Sequence, residues 1–276
     1  MLRISGTGAT HVGLVRDHNE DAAFVGPSCM LVADGVGGGA AGEVAAATTA
    51  YVVSATALAH PDDDPARMLA EAVATAQQQV AGGARARPDR AGMATTLTAV
   101  ATDGHRFALA HLGDSRGYLF RDGGLARLTR DHTYVQDLVD QGSLDERDVP
   151  HHPWRNVVLR TVNGVDGPAD VVTLELRPGD RLLLASDGLT DYVGEERIAD
   201  ILARKADDDA VPALVAAALG AGGRDNVTCL VATVVEGPRL AGDGTRLGAL
   251  TDVANIVDPA AVRTQGPGSR PAGRSA

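Results

Sequence analysis

A short apolar run that ends in an acid and a glycine cluster is the feature that most restricts how this chain can fold. Residues 30–33 are Met, Leu, Val and Ala, Asp34 follows them, and glycine occupies position 35 and four of the six positions 37–42. An alanine-rich segment then extends from Ala40 to Ala59, and alanine is the strongest helix former. The pattern predicts a buried strand, a turn and a helix, with Asp34 at the carboxyl end of the strand.

Two other interpretations of this turn are open. An Asp-Gly pair is typical of a β-hairpin, but a hairpin needs a second strand directly after the turn, and here a helix is predicted. Gly37, Gly39 and Gly42 also fit the G-x-G-x-x-G spacing of a dinucleotide-binding turn. Against that hypothesis, Asp34 would lie beside a pyrophosphate with no cation to offset the like charge. The acid that normally follows about twenty residues later in a βαβ unit is also not found.

Composition and charge exclude several classes of function. The chain has 276 residues, of which 44% are hydrophobic, enough for one large core. A formal net charge of −11 and only 3% aromatic residues argue against a nucleic-acid partner, which would need a basic or base-stacking surface. Cys29 and Cys229 lie in apolar runs and are expected to be inert core thiols. With no signal-peptide pattern and no apolar run of bilayer length, we expect a cytoplasmic protein without membrane contact.

The remaining pattern predicts many short strands with helices between them. The Asp103-Gly104 and Asp122-Gly123 pairs are typical of hairpin turns, and an edge strand is expected within residues 2–15. Residues 143–169 are polar and irregular, and a loop of this length in a compact domain is usually functional. Further strands are predicted at 22–25, 29–33, 92–101, 106–112, 118–120, 171–176, 181–185 and 227–235, and helices at 40–59, 66–84, 133–141, 195–205 and 210–220.

The last 40 residues differ in composition from the rest of the chain. Residues 237–276 are rich in Gly, Pro and Arg, and only residues 247–257 have any apolar density. Five arginines less three aspartates give this segment a charge of +2, which leaves −13 on residues 1–236. We therefore expect one folded domain at 1–236 and a disordered tail at 237–276.

Four aspartates each lie at the end of an apolar run. Asp34, Asp114 and Asp187 follow such runs and Asp225 precedes one, so a single sheet edge could bring all four together. Clustered carboxylates raise each other's pKa unless a cation stabilises the ionised forms. Oxygen ligands without a nearby His or Cys set favour Mg²⁺ or Mn²⁺ over zinc. Two such ions about 3.5–4 Å apart can activate a shared water for attack on phosphorus, so no protein nucleophile would be needed.

Seven short motifs follow one another between about residues 5 and 235. They are Arg16-x-x-Asn19-Glu20-Asp21, Asp34-Gly-x-Gly-Gly38, Gly92-x-x-Thr95-Thr96, Gly113-Asp114-Ser115-Arg116, Leu128-Thr-x-Asp131-His132, Ser186-Asp187-Gly188 and Asp225-Asn226-x-Thr228. Each alone is weak, but the ordered set is specific. It resembles the signature of the metal-dependent type-2C serine/threonine protein phosphatases in their bacterial form.

The resemblance implies an α+β fold, a four-layer α-β-β-α sandwich with two central, mainly antiparallel β-sheets and a metal pair in a cleft at one edge. It also implies hydrolysis of phosphoserine and phosphothreonine in proteins, by a hydroxide activated at two Mn²⁺ or Mg²⁺ ions. The partners would be phosphorylated proteins, namely bacterial serine/threonine kinases and their substrates. We expect a monomer.

The same resemblance implies a ligand set. Asp34 would bridge both ions, the Gly35 carbonyl would bind one, and Asp187 and Asp225 would complete the other. Asp114 with Asp187 would form a weaker third metal site.

Three further residues and one loop also receive roles by this resemblance. Glu20 and Asp21 would lie close to the ions, partly through ordered water. Arg16 would bind the substrate phosphate, which suits a guanidinium because its planar fork pairs two oxygens at once. Residues 143–169 fall where the family has its flap, which is implied to tune substrate access.

The chain departs from the family pattern at two positions. Val36 lies where animal members have a histidine proposed to protonate the leaving oxygen, so the general acid stays unassigned. Ala94 replaces a glycine found in many members, a change we interpret as packing. Two alternatives to the hydrolase remain, a non-catalytic phosphoprotein-binding relative of the same fold and, less favoured, the dinucleotide-binding enzyme.

Overall fold

The computed structural model describes residues 1–36, 41–240 and 242–262. In those ranges the strands are β1 (Leu2–His11), β2 (Ala22–Val25), β3 (Cys29–Ala33), β4 (Gly35–Val36), β5 (Ala94–Thr95), β6 (Leu97–Thr102), β7 (Phe107–Leu112), β8 (Arg116–Arg121), β9 (Gly124–Arg127), β10 (Asp170–Leu174), β11 (Arg181–Ala185), β12 (Val227–Glu236) and β13 (Thr245–Gly248). The α-helices are α1 (Gly42–Ala59), α2 (Pro65–Ala86), α3 (Tyr134–Asp140), α4 (Asp187–Thr190), α5 (Glu195–Arg204) and α6 (Asp207–Gly220). No helix in these ranges is long and apolar enough to cross a membrane.

The strands form two large antiparallel sheets and a small ribbon. The first sheet has five strands in the order β1-β12-β11-β8-β9, and the second has six in the order β10-β7-β6-β3-β2-β13. The ribbon pairs β4 with β5. The expected edge strand near the start of the chain is confirmed as β1, and both Asp-Gly hairpins are confirmed, joining β6 to β7 and β8 to β9.

The apolar strands are buried on both faces, which places the two sheets at the centre of the molecule. In β11, Leu182 and Leu184 point into a cluster between the two sheets, whereas Leu183 and Ala185 face a cluster formed with α5 and α6. In β3, Leu31 faces a third cluster, formed with α1 and α2. Successive side chains of a strand point to opposite faces, so this alternation builds four layers, helices, sheet, sheet and helices. The predicted α-β-β-α sandwich is confirmed.

The helices begin where their sequences favour it. The Asp64 side chain accepts hydrogen bonds from the amides of Ala66 and Arg67, and Pro65 takes the first position of α2. Helix α1 begins at Gly42 rather than at the predicted Ala40. Gly37 and Gly39, on which the dinucleotide hypothesis depended, lie outside the described residues.

The predicted tail boundary at residue 236 is wrong. Strand β13 pairs with β2 and extends the six-stranded sheet, and Leu250 and Ile256 are buried in the cluster with α1 and α2. The Tyr51 hydroxyl also donates a hydrogen bond to the Pro259 carbonyl, 2.6 Å away. The sequence hid this segment because its few apolar residues are separated by turns, and their partners lie far earlier in the chain, in β2, α1 and α2. The part of the predicted tail at 263–276 lies outside the described residues.

Candidate metal and phosphate site

Asp34 directly follows β3, and its backbone is held on both sides by two threonines. The Asp34 amide donates to Thr96 Oγ1 at 3.0 Å, and the Thr96 amide donates to the Asp34 carbonyl at 2.9 Å. The Thr95 hydroxyl donates to that same carbonyl at 2.8 Å. The Thr-Thr pair noted in the sequence therefore fixes the direction in which Asp34 leaves its strand.

The four predicted aspartates meet at one end of the sandwich, but they come from two sheets. Asp34 and Asp114 lie beyond the carboxyl ends of β3 and β7, which run parallel because β6 lies antiparallel between them. Asp187 follows β11 and Asp225 precedes its antiparallel neighbour β12, so these two also share an edge. The prediction of a single sheet edge is therefore wrong, since the site lies where the edges of both sheets meet.

The carboxylates destabilise one another in their ionised forms. Burial, followed by the charges of Asp21, Asp187, Asp114 and Asp225, holds the pKa of Asp34 well above its ordinary value. Burial and then Asp114 hold the pKa of Asp187 well above its ordinary value. Burial raises the pKa of Asp21 to about 6 and that of Asp114 to about 7. Such a cluster ionises fully at neutral pH only when positive charge offsets the repulsion.

Asp21 shows an unsatisfied acceptor inside this cluster. The residue is fully buried, and its Oδ2 accepts a 2.9 Å hydrogen bond from the Ser186 hydroxyl. Its Oδ1 is buried without any hydrogen-bond partner in the described structure. A buried carboxylate oxygen without a donor is costly, and a hard cation or a water held by one would satisfy it.

The donor set at this end of the sandwich fits Mg²⁺ or Mn²⁺ by its chemistry. It consists of carboxylates and the Gly35 carbonyl, and hard divalent ions prefer oxygen ligands. In the described ranges, no three His, Cys, Asp or Glu side chains are arranged so that they alone could hold an ion. The evidence that a divalent ion fits here is the cluster of acidic charges and the unpaired Asp21 Oδ1, not a complete set of ligands already in place.

Arg16 lies at the rim of the cluster. Its Nη2 donates to Asp225 Oδ2 at 2.8 Å, and its side chain remains 51% exposed, so the guanidinium reaches solvent beside the acids. Glu20 lies on the same loop, and burial followed by the charge of Glu43 raises its pKa. The loop thus brings a cation and an acid to the same end of the sheets.

Asn226 fixes this loop, a role that the sequence did not reveal. Its Oδ1 accepts from the Glu20 amide at 2.8 Å, and its Nδ2 donates to the carbonyls of Val12 and His18 at 2.9 Å each. Gly188 packs directly against it, since a Cβ at that glycine would lie 1.8 Å from the Asn226 carbonyl oxygen. Only the adjacency of Asn226 to Asp225 and its place in a motif could have signalled its importance.

Residues 143–169, named the flap from here on, border the site. Val162 exchanges two backbone hydrogen bonds with Thr95, at 3.2 and 2.7 Å, so the flap is attached to one of the two threonines that hold the Asp34 backbone. A cavity of about 420 Å³ separates the flap from the acids, with Asp114, Asp187 and Arg155 among its lining residues. Val36 pairs with Ala94 in the β4–β5 ribbon and offers no proton donor.

Comparison with known proteins gives a consistent result. The family model described as Protein phosphatase 2C matches residues 6–219. The serine/threonine protein phosphatase PstP of Mycobacterium tuberculosis is 43% identical over 229 residues, which are 81% of this chain and 44% of PstP. The serine/threonine phosphatase stp of Listeria welshimeri is 34% identical over 235 residues, 80% of this chain and 92% of that protein.

A solved structure also shares this fold. The crystal structure of the PstP catalytic domain in complex with two manganese ions matches with a TM-score of 0.78 and 39% identity. The match covers 86% of this chain and 100% of that one, so the chain spans the catalytic domain but less than half of full-length PstP. Because the family model and relatives of this similarity cover most of its length, the chain belongs to the protein phosphatase 2C family.

Proposed function

We propose that this protein hydrolyses phosphoserine and phosphothreonine in phosphorylated proteins, with two Mn²⁺ or Mg²⁺ ions as cofactors. The observation that carries the proposal is the cluster of Asp21, Asp34, Asp114 and Asp187, whose pKa values are all raised, first by burial and then by the charges of neighbouring acids. A fold keeps such a costly cluster where function requires it. The named activities of the relatives and the two manganese ions in the PstP catalytic domain support the same function.

The proposed ligands are those that the family resemblance implies, and the clustering of the acids supports them. Asp34 would bridge the two ions, the Gly35 carbonyl would bind one of them, and Asp187 and Asp225 would hold the other. Asp114, opposite Asp187, would contribute to a weaker third site. When bound, the ions supply an activated water as the nucleophile, which explains why the chain needs no serine or cysteine nucleophile.

The remaining side chains bind and orient the substrate. Arg16 would pair two phosphate oxygens through its planar guanidinium, with Asp225 holding the other side of the fork. Asn226 keeps the Arg16 loop in place, because it binds three backbone groups of residues 12–20. Orientation of this kind accelerates a reaction by fixing the phosphorus in line with its attacker.

The test compares three variants in steady-state assays. We expect the wild type to hydrolyse p-nitrophenyl phosphate and a phosphothreonine peptide in a Mn²⁺-dependent reaction. Asp34→Asn and Asp187→Asn should each lose at least about 100-fold in kcat, because each removes a ligand oxygen charge. Asp89→Asn is the matched control, since Asp89 pairs with Arg87 on an exposed turn away from the site and should keep full activity.

Two results would contradict the proposal. Full activity of both site variants would show that the acids take no part in catalysis. Tight phosphopeptide binding by a wild type that shows no turnover in saturating Mn²⁺ would favour the phosphoprotein-binding alternative instead.

A further inference from the structure

His132 holds both backbone polar groups of Gly113, the residue before Asp114. The Gly113 amide donates to His132 Nδ1 at 3.1 Å, and the His132 amide donates to the Gly113 carbonyl at 2.8 Å. The imidazole is only 4% exposed, so the two bonds are protected from water. The proposed function assigns His132 no role, although it contacts the turn that carries one of the clustered acids.

The tautomer of His132 follows from its partners. A backbone amide only donates, so Nδ1 accepts and the proton lies on Nε2. Nε2 lies 3.0 Å from Asp170 Oδ2, which therefore accepts that proton's hydrogen bond. Arg160 donates to Asp170 Oδ1 through Nη2 at 2.9 Å, whereas its Nη1, which also can only donate, lies 2.9 Å from the protonated Nε2 and forms no hydrogen bond with it. The Asp170 carboxylate thus orients the ring, since the hydrogen bond at one ring nitrogen sets the role of the other.

The Gly113–Asp114 turn has little room to move in other directions. Gly113 has φ +103°, and a Cβ there would lie 2.5 Å from Thr96 Cγ2. The Thr96 hydroxyl in turn lies 2.6 Å from the Ser115 hydroxyl. His132 holds this same turn through both backbone groups of Gly113, so its imidazole is one of the contacts that fix where Asp114 begins.

The other contacts of His132 lead to the flap. The Leu159 amide donates to the His132 carbonyl at 2.8 Å, and Arg160, which binds Asp170, is the next flap residue. Asp170 begins β10 directly after the flap ends. One residue therefore joins the second half of the flap to the turn that carries Asp114.

We infer that His132 is a positioning residue for Asp114, which transmits the placement of the flap's second half to the acid cluster through the Gly113 amide. The inference rests on the proposed function for its effect on catalysis. Its structural part, the restraint on the Gly113 amide, is measured independently of activity.

Two substitutions separate the two nitrogens of the ring. In His132→Asn the side-chain oxygen takes the place of Nδ1 and can accept from Gly113, whereas the reach to Asp170 is lost. In His132→Gln the amide takes the place of Nε2 and can bind Asp170, whereas the acceptor for Gly113 is lost. His111→Asn is the control, because His111 is equally buried and its ring centroid lies 4.8 Å from that of His132, but its own hydrogen bonds go to Thr98 and Arg130.

The experiment measures amide hydrogen exchange at Gly113 by NMR with Mg²⁺ bound, together with kcat and KM. We expect His132→Gln to speed Gly113 exchange and to lower kcat, each by about fivefold to tenfold, which is the worth of one hydrogen bond. KM should change by less than about twofold, since Arg16 is untouched. His132→Asn should restore most of both losses, and His111→Asn should leave Gly113 exchange near the wild-type rate.

Three outcomes would overturn the inference: unchanged Gly113 exchange in His132→Gln, a kcat for His132→Asn as low as that of His132→Gln, or equal effects from His111→Asn. Should His132→Gln not fold, Asp170→Asn replaces it, because the Asp170 side chain is 56% exposed. That variant should speed Gly113 exchange about twofold to threefold, and an unchanged rate would overturn the inference. A wild type without phosphatase activity would refute the proposed function and leave the exchange result standing.

Discussion

Replacing Asp34 with asparagine should stabilise the metal-free protein, although we expect the same change to lower activity. Asp34 sits among Asp21, Asp187, Asp114 and Asp225, and the repulsion of these carboxylates adds to the cost of its burial. Asparagine has nearly the same shape but no charge, so it removes both costs. Without divalent ions, we therefore expect the Asp34→Asn protein to be more resistant to unfolding than the wild type at neutral pH.

The size of the effect follows from the raised pKa values. Burial raises the pKa of Asp21 from an ordinary 3.8 to about 6, and at about 1.4 kcal/mol per pH unit its ionisation costs the fold roughly 3 kcal/mol. The pKa of Asp34 is also held well above 3.8, and it has more acidic neighbours. Its replacement should therefore raise the free energy of unfolding by about 3 kcal/mol near pH 7.5.

The sign of the pH dependence is fixed by the direction of the shifts. A carboxyl group with a raised pKa binds more protons in the folded state than in the unfolded state between about pH 4 and pH 7. Metal-free stability therefore falls as the pH rises through this window, and the advantage of Asp34→Asn should shrink as the pH is lowered toward 4. Saturating Mn²⁺ should reverse the order, because it stabilises only the wild type.

Urea unfolding in EDTA at about pH 5 and about pH 7.5 measures these differences. The control is Asp131→Asn, at a buried acid whose pKa is lowered, because the charges of Arg116 and Arg127 outweigh the burial that opposes them. That variant should lose stability by about 3 kcal/mol, the opposite sign. The reasoning fails if metal-free Asp34→Asn is no more stable than the wild type near pH 7.5, or if its advantage does not shrink toward pH 4.

Three further predictions concern the supports of the site and the domain boundary. Asn226→Ala removes the hydrogen-bond partner of three backbone groups, so it should lower the free energy of urea unfolding by about 3 kcal/mol. It should also raise the KM for a phosphopeptide. An unchanged KM would show that the Arg16 loop does not depend on this side chain. Gly188→Ala places a methyl group against the Asn226 carbonyl and should lower the free energy of unfolding by about 3 kcal/mol. Unchanged stability would mean that the segments carrying Gly188 and Asn226 move apart easily. A chain ending at Glu236 loses β13 and the buried Leu250 and Ile256, and should melt at lower temperature by an amount equivalent to about 4 kcal/mol; an equal melting temperature would restore the boundary predicted from sequence.

The sequence pattern predicted most of the strands because they are short, apolar and separated by strong turn signals, whereas the four-layer sandwich was implied by the family resemblance. Runs such as residues 181–185 are buried on both faces, so they read as continuous apolar segments rather than as alternating ones. The assignment of strands to sheets did not follow from that pattern. β10 and β11 flank one turn, yet they lie in different sheets, because pairing depends on contacts distant in sequence.

For the site, the sequence indicated the acids but not the residues that hold them in place. The acids were identifiable because each ends or begins an apolar run, and the structure brings them together. What the sequence could not provide were the residues that act through hydrogen bonds alone. Asn226, Ser186 and His132 reach partners 19 to more than 200 residues away, or bind backbone groups, and neither kind of contact leaves a local pattern. The strand at 245–248 was missed because its pairing partner, β2, lies far earlier in the chain.

The account depends most on paired hard cations held between Asp34, Asp187 and Asp225. Anomalous diffraction from crystals soaked in Mn²⁺ tests this claim most directly. We expect two manganese peaks about 3.5–4 Å apart, with Asp34 contacting both and the Gly35 carbonyl contacting one. An anomalous map with no peak at this end of the sandwich, while the protein remains folded and the soak saturates, would contradict the account.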